Sequence, residues 1–207
     1  MALVKYNNNS ISAITAVAGL ANGAMTLIKE QTASSSSTIS FVHGTSDVVL
    51  DGTYPIYLFK FIGIHPATDN THFTFNGSDD DSSHSYDVTK TTTMIDCYQS
   101  EGGAGATLSY GGGSLAQSTA FQRLTNDQGN ANDENVSGYL YLFNPSSTVF
   151  VKHFLAGSSR TSHNDYAAQQ YYGGYFNTTA DITAIQFKFS SGNIDAGTIK
   201  LYGIKDS

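Results

Sequence analysis

Residues 185–204 constrain the fold more than any other stretch. Ile185, Phe187 and Phe189 alternate with Gln186 and Lys188, the period of two that marks a strand with one buried face. Ser190-Ser191-Gly192-Asn193 follows, and Gly192-Asn193 can supply the positive φ of a reversal. Ile199 and Leu201 then alternate with Lys200 and Tyr202. The spacing predicts a β-hairpin that ties this end of the chain into a sheet.

The same pattern recurs upstream. Strand-like runs fall at residues 25–30, 38–43, 48–50, 54–64, 71–75, 92–98, 106–110, 136–143, 148–155 and 171–177. Gly, Asn, Asp and Ser clusters separate them, and Asn144-Pro145-Ser146-Ser147 reads as a turn of type I or II. The chain is therefore expected to be all-β: an antiparallel β-sandwich, jelly-roll-like, with long polar loops and little helix. Residues 1–23 are expected to form an N-terminal arm or short helix, with Ser10 as a cap before Ile11, Ile14, Ala18 and Ala21. Residues 24–207 are expected to form a single β-sandwich domain. A further turn or two of helix is expected over residues 117–124, and residues 126–135 should be an exposed acidic loop.

Charged residues make up only 13% of the chain, about half the usual share. The net charge of −7 argues against a nucleic-acid-binding face, which needs clustered Lys and Arg. The apolar residues between Ile11 and Ala24 are too few and too interrupted to span a bilayer, and the order of a signal peptide is missing. The protein is thus expected in a cytoplasm until lysis releases it. Cys97 is the only cysteine and sits in an apolar run, so a buried small hydrophobe is expected there.

Motifs for chemistry are sparse. Asp79-Asp80-Asp81 could offer oxygens to Ca²⁺, but its spacing is not that of an EF-hand and a solvated turn is the favoured reading. The six histidines form no His-x-His or His-Glu-x-x-His pair. There is no Gly-x-Ser-x-Gly elbow, and Gly111-Gly112-Gly113-Ser114 lacks the lysine of a phosphate loop. No catalytic, cofactor or metal residue is assigned, and no cofactor is expected.

Three strands are apolar on both faces, which a solvated antiparallel strand should not be. Tyr57, Phe59 and Phe61 oppose Ile56, Leu58, Ile62 and Ile64. Tyr139, Tyr141 and Phe143 oppose Leu140 and Leu142. Phe150 and Phe154 oppose Val149, Val151 and Leu155. A second apolar face wants cover, from long loops or from a neighbouring subunit. Tyr57, Phe59, Phe61, Tyr139, Tyr141, Phe150 and Phe154 are the interface candidates. A second group, His163, Tyr166, Tyr171, Tyr172 and Tyr175, lies among amides and is a candidate loop for a ligand or partner, a host-surface glycan included. Ordinary strand packing is the competing reading.

Gly197-Thr198-Ile199-Lys200-Leu201-Tyr202-Gly203-Ile204-Lys205 resembles the ending of virion structural proteins of tailed phages, marine cyanobacterial phages above all. The opening Met1-Ala2-Leu3-Val4-Lys5-Tyr6-Asn7-Asn8-Asn9 is similar too. So are Leu27-Ile28-Lys29-Glu30-Gln31, Asp47 to Pro55 and Leu142 to Thr148. The resemblance carries over no functional residue. It implies a non-enzymatic structural protein on the capsid surface or in the tail, assembled in the host cytoplasm. Such a protein would act as a homo-oligomer, with a trimer among the candidate states, docked to other virion proteins. The alternative is a carbohydrate-binding adhesin of a tail fibre; a polysaccharide-degrading enzyme is the least favoured reading.

Overall fold

A computed structural model describes residues 24–205; the arm or helix expected over residues 1–23 lies outside them. Twelve strands follow in chain order: β1 (Met25–Thr32), β2 (Ile39–Val42), β3 (Ile56–Pro66), β4 (Phe73–Ser78), β5 (Lys90–Ser100), β6 (Ala106–Tyr110), β7 (Gln122–Arg123), β8 (Val136–Phe143), β9 (Lys152–Ser162), β10 (Tyr166–Phe176), β11 (Ala184–Phe189) and β12 (Ile194–Ile204). Among the described residues there is no helix. The turn of helix expected over residues 117–124 is instead a loop running into the short edge strand β7, whose Gln122 pairs with Phe75.

The strands form two antiparallel sheets. The large one has eight strands in the order β1-β12-β3-β8-β9-β10-β5-β6, and the small one has four in the order β2-β11-β4-β7. The all-β sandwich read from the sequence is what the chain builds. One local expectation is corrected. The 185–204 segment is not a hairpin, because β11 lies in the small sheet and β12 in the large one. Gly192, at φ +72°, turns an arch between layers. Both strands bury one face either way, so periodicity alone does not distinguish the arch from a hairpin.

The core between the layers is aromatic. Phe187 of β11 stands at its centre, 5.3 Å from Phe59, 5.2 Å from Phe61 and 5.9 Å from Phe73 by ring centroids. Phe75, Phe154 and Phe176 form a second group, at 5.1 to 6.2 Å. All six of these phenylalanines around Phe187 are essentially fully buried, and each contributes roughly 1.5–3 kcal/mol by leaving water. Val48 and Leu50 are buried as well, but in a loop rather than the strand expected there.

In β3, Gly63 adopts φ +57° at a register shift between Phe61 and Ile64. The bulge puts Ile64 on the same buried side as Phe61, where strict alternation would place it outside. Four strands cannot cover the inner face of eight. Segments 111–121 and 124–128 close part of the remainder. Gln122 is hydrogen-bonded to the Thr92 hydroxyl (2.6 Å) and donates to the Gly113 carbonyl (3.0 Å). The Ser158 hydroxyl donates to the Leu124 carbonyl (2.6 Å). The loop expected to be exposed is therefore anchored: Gln128 is buried and exchanges backbone hydrogen bonds with Thr71 at 3.0 and 2.7 Å.

Candidate docking face

The solvent side of the large sheet is assembled by strand register. One row runs Tyr202, Leu58, Tyr141, Leu155, Gly173, Thr93 across β12, β3, β8, β9, β10 and β5. The next runs Lys200, Lys60, Tyr139, Gly157, Tyr171, Ile95, Tyr110 and reaches β6. Leu58 points outward between Tyr141 and Tyr202 yet is only 3% exposed. Toward β6 the face is open, Ile95 included, although Tyr171 and Tyr110 stand beside it in register. Leu155 is 52% exposed, Ile95 51%, Tyr110 70% and Leu108 75%. The rings on this face contact one another: Tyr139 and Tyr141 at 5.3 Å, His153 and Tyr175 at 5.8 Å.

Small residues shape the face between the rings. A Cβ on Gly157 would come within 2.8 Å of the Tyr139 ring, so only glycine lets that ring lie across β9. Two neighbouring depressions of 360 and 180 Å³ share Ser159 and Gln169; the larger also meets Cys97 and Ala167, and the smaller lies between Tyr139 and Tyr171. The Tyr171 hydroxyl donates to the Gln169 amide oxygen at 3.0 Å. Charge is confined to the β1–β12–β3 side. There Lys200 pairs with Glu30 at 2.9 Å, which raises the lysine above its ordinary range, and Lys60 lies over the Tyr202 ring.

The structure divides the interface candidates. Tyr139 is exposed and Tyr141 half-buried on this outer face. Phe150 is 70% exposed, in the loop between β8 and β9 rather than in a strand. Tyr57, Phe59, Phe61 and Phe154 are corrected: all four are buried in the chain's own core. Both faces of β3 are apolar, so its outer face is Ile56, Leu58 and Ile62 instead. The Tyr57 hydroxyl donates to the Asp51 carbonyl at 2.8 Å, and burial raises its pKa.

The tyrosine cluster is also split. Tyr171 and Tyr175 lie on the outer face, whereas Tyr172 is buried on the inner one. Burial first, and then the nearby Asp96 carboxylate, raise the Tyr172 pKa. Tyr166 pairs with Tyr98 at 4.9 Å at the end of the sheet. His163 lies in the β9–β10 turn beside the Asp127 carbonyl. Cys97 is half-buried and outward-facing, not in the core.

Ile95, Leu108, Tyr110 and Leu155 complete the face and were not among the sequence candidates. Leu108 and Tyr110 alternate with Thr107 and Ser109, a pattern that marks them only as one face of a strand. The Asp79–Asp81 cluster is a turn: Asp80 accepts hydrogen bonds from Ser82 and Ser83, which pull its carboxyl below the usual range. Among the described residues no group of three or more His, Cys, Asp or Glu could hold a metal ion, and no helix is long and apolar enough to cross a membrane. Comparison with family models, with curated proteins and with solved structures gives no match.

Proposed function

We propose that the protein is a non-enzymatic structural component of a tailed-phage particle that works by self-association and docking through the outer face of its large sheet. The exposed run from Tyr139 and Leu155 to Ile95, Leu108 and Tyr110 is the observation that carries this reading. Six strands, β3 to β6 in sheet order, span about 24 Å at the usual strand spacing; eight residues of each of the first five span about 27 Å, and the short β6 (Ala106–Tyr110) about 17 Å. The resulting patch of roughly 600 Å² compares with the ~800 Å² that each partner of a standard interface buries.

A second copy is the first occupant, because the face is apolar and aromatic at its centre and carries its charge at one margin only. Other virion proteins would meet the finished oligomer. The resemblance of the chain's opening and ending to phage virion proteins supplies the setting: assembly in the host cytoplasm and residence in the virion. Sedimentation equilibrium tests this. The wild-type protein should be an oligomer, a trimer or another closed state, and Leu155→Asp should return it to the mass of one chain. A wild-type monomer at high micromolar concentration would defeat the reading.

The depressions beside Tyr139, Tyr171 and Gln169 favour a second reading, a carbohydrate-binding adhesin that holds a host-surface glycan on this face. Glycan-array binding that Tyr171→Ala abolishes would support it; no retained glycan would reject it.

A further inference from the structure

Each sheet has two edges, and three of the four are protected. β1 is bulged between Leu27 and Lys29 and carries the charges of Lys29 and Glu30. β2 is four residues long, and on its side away from β11 the Gln31 side chain donates to the Ser40 carbonyl at 2.7 Å. β7 is two residues long and ends in Arg123. Bulges, charges, short strands and covering groups are the usual means by which a protein keeps other chains off its sheet edges. β6 has no bulge, no charge and no cover. Ala106-Thr107-Leu108-Ser109-Tyr110 contains no proline, runs without a register shift against β5, and stands last in its sheet.

The direction of its backbone groups follows from the register. The Ser100 N–H donates to the Gly105 carbonyl at 2.8 Å, and the Gly111 N–H to the Met94 carbonyl at 3.1 Å. Bonded pairs in an antiparallel ladder recur at every second residue, so Thr107 and Ser109 direct their N–H and C=O groups to Tyr98 and Asp96. Those of Ala106, Leu108 and Tyr110 point away from β5, and among the described residues nothing bonds them. The same three side chains point to the outer face, beside Gln99, Cys97 and Ile95 in register, and all three are exposed. One strand thus presents unpaired backbone groups and apolar side chains to water together.

This edge is complementary to itself. Set antiparallel against a second copy with Leu108 opposite Leu108, it places Ala106 opposite Tyr110 and Tyr110 opposite Ala106, and each of these pairs closes two N–H···O=C bonds. On the outer face the small Ala106 leaves room for the Tyr110 ring, and Leu108 meets its own copy. On the inner side Thr107 meets Ser109, hydroxyl residues suited to cross-strand bonding. No like charges are opposed. The next residues in this register, Gly105 and Gly111, carry no side chain to hold the two chains apart. A second copy brings the match by symmetry, and a two-fold contact closes on itself instead of growing a fibre.

We propose that β6 pairs with β6 of a second copy across a two-fold axis at Leu108, joining two large sheets into one. The axis stands perpendicular to the sheet, so both outer faces fall on the same side and the patch from Tyr139 to Tyr110 continues from one copy into the next. The inference rests on self-association through that face. A short two-stranded contact is marginal by itself in water, so the edge closes with the face contact in place, and Leu155→Asp still releases single chains. With both contacts two-fold, the oligomer has an even number of chains, four when each joined face meets another.

Disulfide trapping of the full chain tests the edge. A Cys97→Ser background removes the native thiol beside Leu108. In it, Leu108→Cys should give a covalent dimer under mild oxidation, since facing Cα atoms of a bonded pair lie about 5.5 Å apart, within disulfide reach. Ala106→Cys should cross-link about tenfold more slowly, because this register holds it roughly 14 Å along the strand from its own copy. Leu108→Lys sets two ammonium groups opposite each other and should halve the mass in sedimentation equilibrium, from four chains to two; an unchanged urea midpoint confirms that it folds. A wild-type oligomer with an odd number of chains would overturn the proposal. So would equal cross-linking at Ala106 and Leu108, or an unchanged mass for Leu108→Lys, and each of these outcomes leaves the docking face standing. A monomeric wild type would overturn both readings.

Discussion

The two solvent faces of the sandwich are unlike. On the small sheet, Ser40, Gln186 and Asn76 stand side by side in register, followed by Lys188 and Thr74. Gln186 donates to the Ser40 hydroxyl at 3.0 Å, Asn76 donates to the Tyr86 and Thr119 carbonyls, and Lys188 lies over the Phe121 ring at 4.0 Å. That face is polar and finished by its own loops. On the large sheet the corresponding positions are Tyr139, Tyr141, Leu155, Tyr171 and Ile95, and among the described residues no loop covers them. Both faces enclose the same phenylalanine core, so stability does not require the difference. An antiparallel sheet can keep one solvated face polar; a large one left apolar marks an interaction surface.

The comparison breaks most visibly at the shared core. Phe187→Ala should cost about 3–5 kcal/mol in urea unfolding, because its ring meets Phe59, Phe61 and Phe73 at once. A loss below 1 kcal/mol would mean that the inner layer is not what holds the two sheets together.

Next in size is a pH effect. Lys90 is fully buried and donates to the Val88 and Ala120 carbonyls at 3.0 and 2.7 Å. Burial pulls its pKa from 10.5 down to about 8. The folded state therefore releases this proton before the unfolded state does. Stability should rise with pH between about 8 and 10, by up to ~3 kcal/mol if the whole shift is expressed. Above pH 10 the trend should reverse, because buried Tyr57 and Tyr172 keep their protons longer when folded. Lys90→Met should remove most of the rise, leaving the smaller part that Lys152, also lowered by burial, contributes, and keep the fall; chemical unfolding across pH 7–11 measures both.

Gly197→Ala comes third, at about 1–3 kcal/mol. Gly197 has φ +111°, and a Cβ there would meet the Gly63 carbonyl at 2.6 Å. Smallest in stability but decisive for the comparison are the surface changes. Leu155→Asp should alter the unfolding free energy of the chain by less than ~0.5 kcal/mol while abolishing self-association. Lys188→Ala should lose no more than ~1 kcal/mol and leave the oligomer intact. Equal effects of the two on mass would erase the distinction between the faces.

Strand positions were largely readable. The runs at 106–110 and 136–143 match β6 and β8 to the residue, because their alternation is bounded by Gly, Asn and Asp. The short strand β7 was not readable: Gln122-Arg123 has no apolar period and joins the sheet only because β4 offers it an edge. Of the docking face, Tyr139 and Tyr141 were legible as one side of a doubly apolar strand. Ile95 and Leu108 were not, since a single exposed aliphatic looks like any other until its neighbours are known. Arg160 and Asp96 are 64 residues apart in the sequence and come onto neighbouring rows of one sheet face only through the β5–β10–β9 register.

The amino-acid order by itself determined that this chain makes strands, where most begin and end, and that several carry apolar residues on both sides. Those properties are local, set by side-chain alternation and turn chemistry. Which side of β3 or β8 turns inward was decided by tertiary structure alone. Tyr57, Phe59 and Phe61 go inside and Tyr139 and Tyr141 outside because the bulge at Gly63, the arch at Gly192 and the pairing of twelve strands fix each pleat against its neighbours, and a strand apolar on both faces has no preference of its own.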